Sequence, residues 1–524
     1  MEITEKNGDM SDISREICVR VAQKSRESTE CARDFILPDM YADIKRIISY
    51  SGSLSPESSF VDAGKALYSG TLSIKLLFVD DESNLRSVSF SQDYSGNVSL
   101  SDDDGYGDYT VMSTPVLENI SVRMANPRKI SVRGRIDPSL KIWKKISTTP
   151  EGTEIRGAFG EECEMRSESA LFMYPFTLFC GDLELSEDIR LDQPLKNLIF
   201  WDVSAEAVAC SYDNGRLSVK GVLTLDMIGS YADRDDVKCI RKTVDFSQSV
   251  EANLPENIED LTCGAHIYIR SADLSLAGEG VDENNKVEID LGYTVVFSCV
   301  CERKAMYVSD AYIPTRSAEL KTDAVMISAL PKKISKLVRI EACNEGSLPE
   351  DSRILLVQAV PHIDSVTVRE GVGYALGDSQ VSVSYSDPGG LVSSVSYNSE
   401  LEVELGEIDA FDEYLITKKV SSVSARNENG ALCVGYDLEA SFVGWKNNEE
   451  NIVSAINVTD GEKNVERKAF TLCYPASGEK LWDIGKKYGV SIDLIRRSNR
   501  SLEEDPTHLP NVLLIPSKNK IKNA

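Results

Sequence analysis

The sequence predicts a mainly β chain in which three tandem β-rich, sandwich-like repeats precede a small α+β module of βααβ order. The first observation behind this is a motif written three times: SVSFSQ at 87–92, TVDFSQ at 243–248 and SVSYNS at 394–399. Its aromatic anchors, Phe90, Phe246 and Tyr397, recur at a spacing the length of a small domain. Around each anchor, apolar and polar residues alternate with the period of a half-buried strand. The C-terminal stretch alone combines apolar residues at helical spacing with cap residues at both helix ends.

Each repeat is built from the same signals. A glycine precedes every anchor, Gly70, Gly221 and Gly377, and starts an alternating run: Leu72, Ile74 and Leu76; Leu223, Leu225 and Met227; Val381, Val383 and Tyr385. Polar turn-formers, VDDESNL and SDPGGL, separate Phe78 from Phe90 and Tyr385 from Tyr397, which reads as a β-hairpin. Each unit closes on another alternating run, KISVRGRID (129–137), KVEIDLGYTVVF (286–297) and ALCVGYDLEASF (431–442), after turns at NPR, DENN and NENG. In LPDMYADIKRII, Ile44, Ile47 and Ile48 fall at helical spacing, echoed by PLKNLIF at 194–200, so a short helix is expected before the strands. The boundaries are an N-terminal segment 1–33, repeats at 34–145, 166–306 and 326–445, and a module at 467–518. Polar links around 146–165, 307–325 and 446–466 are expected between them.

Length and charge narrow the function classes. A chain of 524 residues is several domains long, and 42% apolar content supplies a core for each. Against 57 Lys and Arg stand 84 Asp and Glu, and the net charge of −27 repels nucleic-acid phosphate and anionic lipid headgroups. Nucleic-acid binding and direct membrane insertion are therefore set aside. The N-terminus has no apolar run of signal-peptide length, and nothing approaches the roughly 18 apolar residues of a membrane span, so a cytoplasmic location is expected. The 12 cysteines are scattered singly apart from Cys299 and Cys301, form no C-x-x-C pair, and are expected to be reduced core residues.

The run ILPDMYADIKRII, the strand from Gly70 to Phe78, the SVSF strand and NPRKISVRG together resemble the SPOCS domain of spore-forming Firmicutes. FTLCYPASGEKLWDIGKKYGVSIDLIRRSNRSL, followed by LPNVLLIP, resembles a LysM module. The residues support a helical hairpin there independently. Leu481, Ile484 and Tyr488 line one helical face, Gly489 suits a left-handed C-terminal position, and Ser491 suits the cap of a second helix carrying Ile492 and Ile495. SPOCS repeats with one C-terminal LysM module are the arrangement of a clostridial family of spore-coat morphogenetic proteins. That resemblance implies a non-enzymatic scaffold without cofactor in the mother-cell cytosol. Its LysM module would bind the coat-assembly ATPase, and the chain would meet other coat proteins and hold the coat to the forespore surface.

The competing reading is a glycan-binding protein, because LysM modules commonly grip N-acetylglucosamine chains of peptidoglycan between two loops, here Ser477–Lys480 and Asn499–Leu502. The binding residues under either reading are Ser477, Gly478, Glu479, Lys480, Trp482, Asn499, Arg500 and Ser501. Both loops depart from the LysM pattern: Lys480 stands where Thr or Ser usually caps the helix, and Arg500 replaces the usual Pro after Asn499. These departures and the missing export signal favour a protein partner. Adjacent helical residues point about 100° apart, so Trp482 is expected either nearer the surface than its neighbour Leu481, beside the 477–480 loop, or buried as a cover over the second helix.

No catalytic constellation is legible. The three histidines, His266, His362 and His508, lie in distant segments, and no G-x-S-x-G, H-E-x-x-H, P-loop or G-x-G-x-x-G occurs. Asp102, Asp103, Asp104 and Asp108 miss the spacing of an EF-hand loop, so no metal site and no enzyme activity are expected.

Overall fold

The computed structural model describes residues 17–25, 27–100, 107–151, 162–231, 237–252, 258–277, 285–314, 316–327, 332–346, 348–428, 431–446, 448–462, 470–504 and 509–516. The chain is mainly β, and the three helices among the described residues all lie near the C-terminus. Asp102–Asp104 and His508 fall outside the described residues.

The first unit holds β1 (Ile17–Ser25), β2 (Thr29–Ile36), β3 (Ile44–Asp62), β4 (Lys65–Asp80), β5 (Leu85–Ser99), β6 (Tyr109–Ser113), β7 (Val116–Asn126), β8 (Lys129–Asp137) and β9 (Leu140–Ser147). A meander of β3, β4 and β5 packs on a sheet ordered β2-β8-β7, which continues as β1-β9-β6. The stretch 17–33, expected as a separate N-terminal segment, therefore supplies strands to this unit. Leu72, Ile74, Leu76, Ile130 and Val132, all fully buried, fill the space between the sheets.

The second unit repeats the plan with longer strands: β10 (Glu164–Arg190), β11 (Leu195–Asp213), β12 (Arg216–Tyr231), β13 (Val237–Glu251), β14 (Ile258–Leu276) and β15 (Lys286–Tyr312). The meander β11-β12-β13 faces β14-β15-β10 over Leu217, Val219, Leu225 and Val295. The third has β16 (Arg316–Ile327), β17 (Lys332–Glu345), β18 (Arg353–Arg369), β19 (Val372–Ser386), β20 (Val392–Glu407), β21 (Glu413–Glu428), β22 (Ala431–Trp445) and β23 (Asn448–Glu462). Its meander β18-β19-β20 faces β17-β22-β21, while β16 pairs with β23 and joins the second unit's sheet beside β10. The stretches 307–325 and 446–466, expected as links, thus carry strands as far as Glu462. Their burial comes from one another, through Val308, Ala311, Ile313, Val453 and Ile456, and not from an alternating face of their own.

The same local chemistry recurs from unit to unit. The first hairpin of every meander turns through two residues of positive φ: Ala63 and Gly64 (45° and 72°), Asn214 and Gly215 (49° and 78°), Glu370 and Gly371 (52° and 82°). Two such residues make the primed turn that matches the twist of the flanking strands. Gly70, Gly221 and Gly377 sit equally far past these turns. Tyr94 lies opposite Gly70 and Phe246 opposite Gly221, each laying its ring where a Cβ would stand, 2.5 Å from Tyr94 Oη and 2.6 Å from Phe246 Cε1. Phe246 is therefore the counterpart of Tyr94, whereas Phe90 opposite Ile74 corresponds to Tyr397 opposite Val381. The six-residue match of the second copy is out of structural register.

The expected helix is a bulged strand. In β3 the pairing slips between Ile44 and Arg46 and again between Ile47 and Ser49, and β11 slips between Leu195 and Asn197 and between Leu198 and Phe200. Two bulges so close together break the two-residue period and imitate a helical one. Ile44 and Ile47 face the unit's own core, while Ile48 turns to a different cluster.

That cluster lies where the three meanders meet. Ile48, Leu77, Phe200, Ile228 and Leu356, none more than 3% exposed, join all three units. The bulges also offer backbone carbonyls across the seams. Ser87 Oγ of β5 donates to Ile199 O of β11 at 2.7 Å, and Ser394 Oγ of β20 donates to Ile48 O of β3. At the third seam Cys239 occupies the serine's place, and Arg241 Nη2 of β13 donates instead to Val357 O of β18 at 2.9 Å. The units thus close into a ring, β5 to β11, β13 to β18 and β20 to β3.

A polar cluster at one seam gives the fold a pH signature. The Glu206 carboxylate accepts the Val420 N–H at 3.0 and 2.9 Å, and burial pushes its carboxyl up to about 7. His266 on β14 is pushed down to about 4, by burial and then by Lys418. The signs oppose. His266 contributes stability that is present above its unfolded value near 6.5 and lost as pH falls toward 4. Glu206 contributes stability that is present below 4.5 and lost as pH rises through 7. Glu206→Gln should therefore expose the His266 slope, a loss of up to about 3 kcal/mol between pH 6.5 and 4 before solvent screening. His266→Gln should make the chain more stable on mild acidification. Melting temperatures across pH 4–8 for both variants check this, and parallel profiles would refute the assignment.

Candidate functional site

The C-terminal unit comprises β24 (Phe470–Cys473), α1 (Leu481–Tyr488), α2 (Ile492–Ser498), α3 (Arg500–Glu504) and β25 (Leu513–Pro516), with β24 and β25 antiparallel. The residues that promote its helices are legible one by one. Gly489 ends α1 in the left-handed conformation (φ 62°, ψ 43°), and the Val490 N–H returns to Gly485 O at 3.0 Å. Ser491 caps α2 by accepting the Leu494 N–H at 3.4 Å. Arg496 and Arg497 occupy the last turn of α2, where the helix dipole is negative. Leu481, Ile484, Ile492, Ile495, Leu502, Leu513 and Ile515 are buried together.

This core is completed from another unit. Tyr312, the last residue of β15, is 5% exposed and packs edge-on to Trp482 with ring centroids 5.1 Å apart. Its hydroxyl donates to Val490 O at 2.9 Å, and burial pushes that phenol up, so it stays a donor. Trp482 Nε1 donates to Asp310 Oδ2 at 2.8 Å, and Lys486 Nζ meets both oxygens of Asp310 at 2.6 and 2.8 Å. A Cβ at Gly485 would come within 2.5 Å of Tyr312 Oη, so only glycine allows this approach.

The expected binding residues therefore divide. Trp482, expected either nearer the surface or as a cover over the second helix, is 6% exposed and buried like Leu481 at 7%, because β15 covers the side of α1 that the unit's own core leaves open. Asn499 is half-buried and holds the unit together: its Nδ2 donates to Ile495 O at 2.7 Å and Leu514 O at 2.8 Å, while its Oδ1 accepts the Leu514 N–H at 2.8 Å. Glu479 is half-buried and closes its own loop by accepting the Ala476 N–H at 2.8 Å. Asp483 accepts the Lys480 N–H at 3.3 Å, the acidic arm of a capping box, while the Lys480 side chain has no acceptor to offer a helix end. Ser477, Gly478, Lys480, Arg500 and Ser501 are exposed, the last two on α3, a helix where a loop was expected.

Sequence reasoning missed a second surface. Phe470, Leu472 and Tyr474 are 56%, 51% and 71% exposed, and Val512 is 40% exposed. Phe470 pairs with Pro516 and Leu472 with Leu514 on the outer face of the two-stranded sheet, with Tyr474 and Val512 just past the strand ends, while Cys473, Leu513 and Ile515 are buried in the core. The signal was present as the alternation in FTLCY. Compared with known proteins, the chain matches no family model, no curated protein and no solved structure. Among the described residues no helix is long and apolar enough to cross a membrane, and no group of three or more His, Cys, Asp or Glu is placed to hold a metal ion.

Proposed function

We propose that the chain is a non-enzymatic scaffold of the spore coat, of the SipL type, in which three SPOCS repeats form the body and the C-terminal LysM-like unit binds the coat-assembly ATPase. The observation that carries this reading is the apolar face of that unit. Phe470 and Leu472 of β24 and Tyr474 just beyond its end project three large side chains into solvent, and exposed apolar surface of this kind marks protein contacts. The exposed loop residues Ser477, Gly478, Lys480, Arg500 and Ser501 would rim the contact. A net charge of −27 over the whole chain suits a basic partner surface. In this reading the protein works in the mother-cell cytosol, at the forespore surface.

A glycan site is less well supported. Sugar recognition relies on free polar groups converging on hydroxyls, and the Asn499 amide is already engaged on both its oxygen and nitrogen. The test is calorimetric titration of the purified full chain with the purified coat ATPase and, separately, with N-acetylglucosamine oligomers. Binding of the ATPase without binding of the oligomers supports the scaffold reading; the reverse pattern replaces it with the glycan reading.

A further inference from the structure

Three cysteines of the second unit, which the proposed function does not use, lie side by side: Cys210 on β11, Cys263 on β14 and Cys299 on β15. Cys263 and Cys299 are direct cross-strand partners, and the Cys299 thiol donates to Cys263 Sγ at 3.2 Å. On its other side Cys263 shares a hydrogen bond with Cys210, so its sulfur stands between two others. The third unit shows what such a pair becomes. Cys343 and Cys433 are also direct cross-strand partners, on β17 and β22, and they form a disulfide with Cα atoms 4.1 Å apart. Directly opposed residues of an antiparallel pair bring their Cβ atoms close to disulfide range.

We propose that Cys263 is the pivot of a second, exchangeable disulfide that closes to Cys299 when the chain meets a hydroperoxide and passes to Cys210 by thiol exchange. The chemistry balances. The Cys263 thiol gives up its proton, its sulfur attacks one oxygen of hydrogen peroxide, the O–O bond breaks, and a sulfenic acid forms while the leaving hydroxide takes up that proton as water. Cys299 sulfur then displaces the sulfenic hydroxyl, the S–S bond forms, and a second water leaves. Two electrons have passed from the sulfurs to the peroxide. Exchange follows when the Cys210 thiolate attacks Cys263 sulfur, the bond to Cys299 breaks, and Cys299 takes up the proton that Cys210 gave.

The setting controls the rate. Cys210 and Cys263 are half-buried and reachable by a small oxidant, whereas Cys299 is fully buried and is reached only through Cys263. The hydrogen bond with Cys210 draws the Cys263 thiol down, but the one with Cys299 and burial outweigh it, so Cys263 stays above its ordinary value, as does Cys210. Since the thiolate is the reactive form, the triad resists brief exposure and responds to sustained oxidant. The consequence is structural. Cys263–Cys299 staples two strands within one sheet, whereas Cys210–Cys263 ties the meander to the facing sheet.

The test takes the reduced full-length chain, exposes it to hydrogen peroxide, alkylates the remaining thiols under denaturing conditions and maps disulfides by mass spectrometry without reduction. Cys343–Cys433 closure reports native folding in every sample. The expected product is Cys263–Cys299, retained in Cys210→Ser. Cys299→Ser should divert Cys263 to Cys210, and Cys263→Ser should leave Cys210 and Cys299 both alkylated. The proposal is overturned if Cys263 stays alkylated in a chain whose Cys343–Cys433 bond has closed, or if Cys299→Ser yields no Cys210–Cys263 product.

Discussion

Trp482→Ala is expected to melt the C-terminal unit away from β15 well before the rest of the chain unfolds. The indole is buried against Tyr312 and donates to Asp310, so its removal opens a cavity at the seam and strips one hydrogen bond from a carboxylate. Truncating a buried tryptophan costs about 3–5 kcal/mol, a large share of the stability of so small a unit. Asp310 would keep its ion pair with Lys486, so Asp310→Ala should be milder, and the two changes should couple by about 1–3 kcal/mol in a double-mutant cycle. Hydrogen exchange resolved along the chain is the readout, with early loss of protection expected over α1 and the last residues of β15. Unchanged protection at α1 together with strict additivity would show that the seam does not hold the unit.

How much of this was legible in the sequence depends on the distance over which each cause acts. The hairpins at VDDESNL and SDPGGL were legible because strand alternation and polar turn residues are local, whereas the X-Gly turns at Gly64, Gly215 and Gly371, all of positive φ, went unread although they are as local. The caps of the terminal helices were legible for the same reason, at Gly489 and Ser491. The bulges in β3 were not, because the helical spacing of Ile44, Ile47 and Ile48 arises from two slips that only the partner strand β4 reveals. What buries Trp482 was not legible because Asp310 and Tyr312 come from another unit, and nothing around the tryptophan in sequence announces them. The cysteines were expected to be reduced, yet Cys343 and Cys433 are bonded across a sheet at a sequence separation of 90. Pairing register, which residue type alone does not reveal, brings them together.

The second large effect concerns the outer face of the terminal sheet. Leu472→Glu with Tyr474→Glu replaces two exposed apolar side chains by charges that remain in water, so the fold should change by no more than about 0.5 kcal/mol per site. Binding should change far more. Large apolar side chains at the centre of an interface each cost about 2 kcal/mol or more when lost, and a carboxylate in their place adds the penalty of burying a charge. Loss of two such contacts corresponds to at least about a 100-fold weaker affinity.

The measurement that tests the central claim most directly is the dissociation constant of the full-length chain for the coat ATPase, compared with that of the Leu472→Glu/Tyr474→Glu chain at equal melting temperature. The account predicts at least about a 100-fold rise in Kd for the double variant. An unchanged Kd would contradict it, since the apolar face could not then be where the partner binds.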